Sequence, residues 1–447
     1  MLERGPYPIP NQGLSHLSAE LTKLDFTELS VKRRFGLPDS DDALTPMQRP
    51  LLDFRGQDGS EPALDLLIQL FIVGCAVRRS RMEDVLSPQA VATMLAARMV
   101  EVTGDTAIAN LAIVPWRGLL VASDRVDAMF YPDYVLFLNP TVPFMSPFVA
   151  PAPGEPAGHA LDVGCGCGVL SMLAARHYAK VTAIDISERA VHFTVFNAAL
   201  NNLAIEARTC APTALREGGY TGMDLVMFNI PTMYQAHYIS RTFAFRSELG
   251  EQLLVDSYAG APDLLSAKGR CVYSHQIRTQ PPAYFEELLA RAGCAEHLSV
   301  TWLSGGPLTP IGYTGLEWGI SIVTRRERGA PLLRRIPAWQ RLGELDRDAI
   351  SRHVRSLEVA SGPALAAAIP MLTDIQVVRT ARVRDGRLVE DDTGVCRGTQ
   401  LTAAELDLLR AIDGRTTVSD LAARHGEQTH AIVKNLVEHG FLALRDP

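Results

Sequence analysis

The middle of the chain, from about residue 126 to residue 326, alternates short apolar runs with amphipathic runs. The apolar runs predict strands, and the runs with helical periodicity predict helices. Strand followed by helix, repeated several times, predicts an α/β domain in which helices cover both faces of an open parallel sheet. The predicted strands are Ala160–Val163, Val181–Ile186, Ile205–Arg208, Leu225–Asn229, Arg270–His275 and Gly319–Thr324. The predicted helices are Leu170–Tyr178, Glu188–Asn201, Phe243–Tyr258 and Pro282–Ala292.

The N-terminal part of the chain has a different pattern. Residues 1–60 are polar and interrupted by prolines, which predicts an arm with a helix around His16–Arg34 and a short helix from Thr45-Pro46. Residues 61–125 predict three helices and then a hairpin, which is the element order of a winged helix. These elements are a helix over Ala63–Arg78, a short helix over Ser80–Val85, a helix from Ser87-Pro88 to about Arg98, and strands around Gly104-Asp105.

The C-terminal part, residues 329–447, predicts a second winged-helix-like module. Asp385-Gly386 is a hairpin signal between the apolar stretches Ile375–Val383 and Arg387–Glu390. Helices are predicted over Thr402–Ile412, Thr417–His425 and Gln428–His439, the last ending at Gly440. The chain therefore divides into an arm (1–60), a small α+β module (61–125), a central α/β domain (126–328) and a C-terminal α+β module (329–447).

The charge of the chain limits the kinds of partner that these modules are expected to bind. The chain of 447 residues has 43 basic and 50 acidic side chains, so its formal net charge is −7. The third helix of each module, PQAVATMLAAR and THAIVKNLVEH, has few basic residues, whereas a helix that reads DNA needs a positive face. The composition favours a role in substrate binding or in a homodimer, and makes nucleic acid a less favoured partner.

Several further classes are excluded by composition. The apolar run Ala63–Val77 is shorter than a membrane span and predicts a buried helix, so no membrane partner is expected. The seven cysteines include no Cys-x-x-Cys pair, and no metal site is predicted. The first residues do not have the pattern of a secretory signal, which predicts a cytoplasmic protein.

A glycine-rich turn follows the first predicted strand of the central region. The sequence ALDVGCGCG, residues 160–168, places Asp162 near the strand end and glycines at positions 164, 166 and 168. Glycines there let the backbone approach a ligand closely and turn into the next helix. The spacing differs from the Gly-x-Gly-x-x-Gly of dinucleotide sites, and the Lys-Ser/Thr of a phosphate loop is missing. Asp162 suits the ammonium group of an amino-acid moiety.

A second acid ends the neighbouring strand. The sequence VTAIDIS, residues 181–187, places Asp185 where one carboxylate can accept both hydroxyls of a ribose, and Ser187 at a helix N-cap. A plain negative charge at a helix N-terminus is the alternative role of Asp185.

The two motifs together, DVGCGCG and AIDIS, resemble those of the class I S-adenosylmethionine-dependent methyltransferases over about Pro151–Thr324. The resemblance implies a Rossmann-like, doubly wound sheet that binds S-adenosylmethionine, with Asp162 near the methionine end and Asp185 at the ribose. The cofactor contacts implied are Asp162, Gly164, Cys165, Gly166, Gly168, Asp185, Ile186, Cys210, Ala211 and Asn229.

The fourth predicted strand ends at Asn229, followed by Ile230 and Pro231. This resembles the Asn-Pro-Pro-aromatic signature of the small-domain methyltransferases that act on glutamine or adenine nitrogens. An asparagine carbonyl can accept a hydrogen bond from the target N–H, and Pro231 stiffens the loop. Ile230 and Thr232 replace the first proline and the aromatic, and Tyr234 is a candidate substitute for that aromatic. The catalytic residues predicted are therefore Asn229, Ile230, Pro231 and Tyr234.

Aromatic and polar residues flank this region. Tyr131–Tyr134 and Phe144–Phe148 precede the first strand and are candidates for a substrate wall, although core packing explains them equally well. After the strand come His237, a weak candidate for a general base, and Tyr238, Arg241 and Arg246, which could hold a polar substrate. The favoured function is N-methylation of a small molecule or amino-acid-derived substrate in specialised metabolism. The alternatives are a nucleic-acid or protein-glutamine N-methyltransferase and a non-catalytic regulator that senses S-adenosylmethionine.

Overall fold

The computed structural model describes most of the chain and divides it into two compact units. One unit is Met1–Val300 with Pro307–Leu333, and the other is Thr301–Gly306 with Arg334–Pro447. The residues described are 8–37, 62–128, 131, 133–136, 138, 141–151, 156–212, 215, 219–231, 247–279, 283–307, 315–326, 332–336, 356, 360, 363–372, 381–384, 387–390, 402–438 and 441–445. The four-part division made from the sequence stays a prediction.

Helices and strands alternate through the central region, as the sequence predicts. The α-helices are α1 Leu14–Lys23, α2 Glu28–Arg34, α3 Pro62–Leu67, α4 Arg79–Val85, α5 Pro88–Ala96, α6 Thr141–Met145, α7 Val169–Ala174, α8 Glu188–Leu200, α9 Ser247–Leu264, α10 Tyr284–Arg291, α11 Ala403–Ala411, α12 Val418–His425 and α13 Thr429–Glu438. The strands are β1 Val77–Arg78, β2 Val100–Thr103, β3 Thr106–Ala109, β4 Ala112–Trp116, β5 Leu119–Ser123, β6 His159–Val163, β7 Lys180–Asp185, β8 Glu206–Thr209, β9 Met223–Asn229, β10 Leu265–Arg278, β11 Leu298–Pro307, β12 Leu316–Arg325, β13 Leu333–Ile336, β14 Ile369–Leu372, β15 Ala381–Arg384, β16 Arg387–Glu390 and β17 Leu442–Arg445.

The central sheet confirms the α/β fold class. Its strand order is β13-β11-β12-β10-β9-β6-β7-β8, and the pairs from β8 to β10 are parallel. The first strand of this sheet in chain order, β6, lies between β7 and β9, so the later strands are added on both sides of it. Strands β6, β7 and β9 are buried along almost their whole length because helices cover both faces. Their carboxyl ends therefore meet at one edge of the sheet.

The sheet departs from the prediction at one side. Strand β12 is antiparallel to β10, so the predicted parallel arrangement does not extend to this strand. Strand β12 follows β11 after residues 308–315, a connection too short for the crossover of a dozen or more residues that would make β12 parallel to β11. This reversal places the start of β12, near Trp318, at the carboxyl end of β10, where Gln276 faces it.

The N-terminal elements differ from the prediction in two helices. The predicted helix over Ala63–Arg78 is wrong in its length: α3 continues as a π-helical stretch, Ile68–Val73, and ends at Gly74, which has a φ of 79°. The predicted helix over His16–Arg34 is two helices, α1 and α2, broken where Asp25 has a φ of 63°. Strands β1, β2 and β3 form an antiparallel sheet in the order β1-β3-β2.

Two features tie the N-terminal elements to the first unit. Leu14, Leu17 and Leu21 of α1 are buried. The Glu20 carboxylate of α1 accepts hydrogen bonds of 2.6 Å from both the backbone N–H and the hydroxyl of Ser87, the N-cap of α5. Residues 8–37 are therefore packed against their neighbours in the fold and form a cover.

The second unit has its own apolar core beneath α11–α13. This core includes Leu408, Leu421, Val433 and Phe441. Strands β15 and β16 pair antiparallel, as the hairpin prediction requires, while Asp385-Gly386 itself lies outside the described residues. The pairing of β14 with β17 was not anticipated. The Thr45-Pro46 helix and the Gly440 cap lie outside the described residues. None of the described helices is long and apolar enough to cross a membrane.

Candidate active site

The glycine-rich turn between β6 and α7 is a tight loop with a left-handed backbone. Gly164, Gly166 and Gly168 have φ values of 66°, 56° and 76°, a region that residues with a Cβ enter only at a cost. The N–H of Cys165 donates to the carbonyl of Ile184 at 2.9 Å, which fastens the loop to β7. The three glycines are therefore required by the backbone itself.

Helix α8 holds the loop from below. The Thr194 hydroxyl donates to the Gly166 carbonyl at 3.2 Å, and the Asn197 amide donates to the Cys167 carbonyl at 2.7 Å. A Cβ at Gly168 would lie 2.8 Å from two side-chain atoms of Thr194, whereas a Cβ at Gly166 would meet nothing within 4 Å. The loop is packed against the protein at Gly168 and faces open space at Gly166, which is the side available to a ligand.

Asp185, at the end of β7, lies directly beside this open side. One carboxylate oxygen, Oδ2, accepts from the Gly166 N–H at 2.9 Å, and the other, Oδ1, accepts from the Ser187 N–H at 2.8 Å. Burial raises the pKa of Asp185, while the hydrogen bonds from these backbone groups oppose that shift. Each carboxylate oxygen has a second lone pair, so the oriented carboxylate can also accept a pair of hydroxyls.

The end of β8 continues the same surface. The Cys210 N–H donates to the carbonyl of Asp185 at 2.8 Å, which places Cys210 and Ala211 beside the end of β7. Ile186, next to Asp185, leaves 46% of its surface exposed although it is apolar. An exposed apolar side chain beside an oriented carboxylate suits a ligand that has a flat ring attached to a sugar.

Asp162 occupies a buried place at the end of β6. Its Oδ2 accepts from the backbone N–H of Ser171 at 3.0 Å and from the Ser171 hydroxyl, and its side chain is 2% exposed. Burial raises the pKa of Asp162 to about 7, although the Ser171 hydrogen bonds act to lower it. Asp162 therefore fixes α7 to the sheet and titrates near neutral pH.

The two thiols of the loop are buried. Burial raises the pKa of Cys167 to about 12 and the pKa of Cys165 well above its usual range. Both side chains stay in the thiol form at neutral pH, and a thiol is a poor nucleophile. Cys165 and Cys167 therefore belong to the wall of the loop.

Asn229 ends β9, one strand away from the glycine loop. Its side-chain Nδ2 donates to Thr141 Oγ1 of α6 at 2.9 Å, and the N–H of the next residue, Ile230, donates to the Ser274 carbonyl of β10 at 2.8 Å. Ile230 is buried, while Asn229 and Pro231 are half-buried. The amide of Asn229 is thus held in one orientation at the carboxyl edge of the sheet. Phe228, just before it, lies 3.1 Å from where a Gly164 Cβ would stand.

The structure brings most of the predicted site residues to this one edge. Asp162, the loop residues 164–168, Asp185, Ile186, Cys210, Ala211 and Asn229 all lie at the carboxyl ends of β6, β7, β8 and β9. Tyr234, His237, Tyr238, Arg241 and Arg246 lie outside the described residues. Sequence reasoning missed Thr141, Ser274 and Trp318, which carry no motif and reach the site from other elements.

Comparison with known proteins agrees with this geometry. Residues 146–245 match the family model described as "Methyltransferase small domain". No curated protein matches the chain significantly.

Three solved structures illustrate the range of similar proteins. A ribosomal protein L11 methylase from Lactobacillus delbrueckii subsp. bulgaricus is 20% identical over 43% of this chain and 81% of that chain, with a TM-score of 0.29. A geranyl diphosphate methyltransferase in complex with GPP and sinefungin is 15% identical over 42% and 78%, with a TM-score of 0.29. The tRNA m1G37 methyltransferase of M. jannaschii is 15% identical over 49% and 57%, with a TM-score of 0.34.

The loop, the acid on the neighbouring strand and the family match define a class I S-adenosylmethionine-dependent methyltransferase domain. The chain is an S-adenosylmethionine-dependent methyltransferase, with S-adenosylmethionine as its cofactor.

Proposed function

We propose that this methyltransferase methylates a nitrogen of a small molecule or amino-acid-derived substrate. The observation that carries the proposal is Asn229, whose amide is fixed by Thr141 at 2.9 Å at the edge that also holds the cofactor loop. The bond through Nδ2 directs the carbonyl Oδ1 to the other side of the amide, where it can accept a hydrogen bond from an N–H group. That bond would aim the nitrogen lone pair at the methyl group.

The residues around the loop have distinct roles in this proposal. Asp185 holds the ribose hydroxyls, and Asp162 faces the methionine ammonium. The space for the adenine is lined by Ile186, Cys210 and Ala211. The glycine loop gives the cofactor close access to the backbone at Gly166. S-adenosylmethionine supplies a methyl group on a sulfonium. The methyl group would pass from this sulfur to the acceptor nitrogen, leaving S-adenosylhomocysteine, and the nitrogen would release its proton to solvent.

The charge of the winged-helix-like modules supports a small substrate over a nucleic acid. The outward residues of α5 are Pro88, Gln89, Ala92, Leu95 and Ala96, so this helix presents no cation. Its N-cap contacts the acidic Glu20, and Lys434 is the one lysine or arginine of α13. A helix that docks on phosphates needs basic side chains. We therefore assign both modules to enclosing the acceptor or to forming a homodimer.

Calorimetry with S-adenosylhomocysteine tests the cofactor site. Wild-type protein should bind, and Asp185→Ala should weaken binding by about tenfold or more, because a bidentate contact to the ribose is lost. Glu188→Ala is the matched control: this exposed acid is the first residue of α8 and should leave the affinity unchanged. Equal affinities for Asp185→Ala and wild type would refute the assignment of the ribose contact.

The acceptor needs a separate experiment. Turnover to S-adenosylhomocysteine should be detected when metabolite extracts, and not mixed RNA or DNA, are supplied. A salt-dependent mobility shift with duplex nucleic acid would favour the nucleic-acid methyltransferase. Cofactor binding without turnover on any acceptor would favour a regulator that senses S-adenosylmethionine.

A further inference from the structure

Helix α6 presents two side chains to the carboxyl edge of the sheet. Thr141 and Phe144 are three positions apart, so they lie on the same side of the helix. Thr141 Oγ1 receives the Asn229 amide at 2.9 Å. One turn further, the Phe144 ring packs edge-to-face on the Trp318 indole, with 4.4 Å between centroids and 74° between planes. The helix therefore couples Asn229 to an aromatic pair.

Trp318 reaches this position from β12. Its indole N–H donates to the Ser274 hydroxyl of β10 at 3.1 Å. Ser274 stands opposite Asn229 in the register of β9 with β10, and Gln276, two residues on, stands opposite Trp318. Residues opposite each other, or two apart along a strand, point to the same face of a sheet. Asn229, Ser274 and Trp318 therefore line one face at its carboxyl edge.

These contacts form a closed ring of interactions at the carboxyl edge of the sheet. Asn229 bonds to Thr141, Thr141 shares a helix with Phe144, Phe144 packs on Trp318, and Trp318 bonds to Ser274, whose backbone holds the residue after Asn229. Asn229, Thr141, Phe144 and Trp318 are all half-buried, so part of each residue is accessible to solvent. Each ring is held by a partner, so little side-chain freedom is lost when a ligand binds.

The loop after Asn229 has Thr232 where the resembling signature has an aromatic. We propose that Trp318 and Phe144 form an aromatic wall that selects a methyl acceptor with a flat, unsaturated group, a heteroaromatic ring or conjugated amide, beside the accepting nitrogen. The wall deepens the proposed function and rests on it. Planar groups pack on ring faces and edges more favourably than saturated groups of the same size, by about threefold to tenfold in affinity.

Fluorine NMR of protein labelled with 5-fluorotryptophan tests the wall without requiring turnover. The Trp318 resonance is assigned by its loss in Trp318→Phe, while the buried Trp116 and Trp302 serve as internal controls. The probes are nicotinamide and the saturated amide cyclohexanecarboxamide, which is also uncharged at neutral pH, added to protein loaded with S-adenosylhomocysteine. Nicotinamide should shift the Trp318 resonance saturably, with an affinity about threefold or more above that of the saturated probe.

The outcomes separate this inference from the proposed function. Equal shifts by both probes, or no shift of the Trp318 resonance by either, overturn the wall even when S-adenosylhomocysteine binds. Failure of S-adenosylhomocysteine to bind overturns the cofactor site, and with it the function on which the wall rests.

Variants give a second measurement once an acceptor is in hand. Trp318→Leu and Phe144→Leu should raise KM for a planar acceptor by about tenfold with little change in kcat, while Trp318→Phe, which keeps a ring, should recover most of the loss. Calorimetry with S-adenosylhomocysteine should be unchanged in all three variants, which shows that the fold is intact. An equal loss in Trp318→Phe and Trp318→Leu would contradict a role for the ring.

Discussion

The side-chain amide of Asn197 donates to the backbone carbonyl of Cys167 at 2.7 Å, from a side chain with no exposed surface. The same Nδ2 donates to the Ala122 carbonyl, and the Asn197 Oδ1 accepts from the Ala122 N–H at 2.8 Å. One side chain of α8 thus joins the cofactor loop to the β4–β5 hairpin. The position of the loop depends on residues far before it in the chain.

Asn197→Ala is expected to damage both stability and cofactor binding. The substitution leaves the Cys167 carbonyl and both backbone groups of Ala122 without their partner, at a cost of about 2–4 kcal/mol in the free energy of unfolding. The loop must then be ordered on binding, which should weaken affinity for S-adenosylhomocysteine by about tenfold. Chemical denaturation and calorimetry measure the two effects.

Asn201→Ala is the control for this variant. Asn201, the C-cap of α8, lies one turn further along the chain. It pairs with both backbone groups of Leu120 at 2.8 Å, but it does not touch the loop. It should lower stability while leaving the affinity within about twofold of wild type. Equal losses of affinity in the two variants would show that the contact to Cys167 has no role of its own.

The glycines of the loop are expected to separate stability from binding. Alanine at either Gly166 or Gly168 would have to adopt the left-handed backbone of the loop, which costs about 1–2 kcal/mol in the free energy of unfolding. At Gly168 the new Cβ also meets Thr194 at 2.8 Å, so the melting temperature should fall further than for Gly166→Ala. At Gly166 the new Cβ enters the open side, so Gly166→Ala should lose more affinity for S-adenosylhomocysteine. The reverse order of melting temperatures would contradict this packing.

Asp162 is expected to make stability depend on pH. Its pKa is about 7 when folded, above its usual value near 3.8, so the folded state holds a proton that the unfolded state has released between those values. Its contribution is complete below pH 3.8 and is lost as pH rises toward 7, by at most about 1.4 kcal/mol per pH unit. Asp162→Asn, which can still accept from Ser171, should remove this slope. Parallel urea titrations of both proteins from pH 4 to pH 8 measure it.

The same titration is expected to control cofactor affinity if Asp162 faces the methionine ammonium. An ammonium favours the ionised carboxylate, so affinity for S-adenosylhomocysteine should rise with pH up to about 7, by at most about tenfold per unit, and then level off. 5′-Methylthioadenosine lacks the amino-acid part and should show no such rise. Identical pH profiles for the two ligands in calorimetry would remove Asp162 from the ammonium site.

Much of the fold and of the cofactor site follows from local sequence. The sequence predicted strand β6, the glycines after it and Asp185. Each of these features depends on a short local pattern: an apolar run, a glycine-rich turn and an acid at a strand end. The α8 boundaries were predicted within a residue or two because Ser187 caps its first turn, with its hydroxyl accepting from the Ala190 N–H.

The remaining features depend on residues distant in the chain. Nothing near Trp318 shows that β12 runs antiparallel to β10, and without that reversal its indole would not reach Ser274. Thr141 carries no motif, and its contact with Asn229 joins residues 88 positions apart. The π-helical turn that ends at Gly74 could not be read from an apolar run, because such a run also fits a straight helix.

The pairing of Asn197 and Asn201 with Ala122 and Leu120 has a practical meaning for work on the enzyme. The two asparagine side chains form hydrogen bonds with the backbone N–H and carbonyl groups of β5, as a neighbouring strand would. These bonds hold the β4–β5 hairpin against α8. The family match begins at residue 146, but a fragment cut there loses the hairpin and leaves both asparagine amides without their backbone partners on β5. A fragment of this enzyme meant to fold on its own, or as part of a fusion, should therefore include the β4–β5 hairpin, which precedes the catalytic motif in the chain.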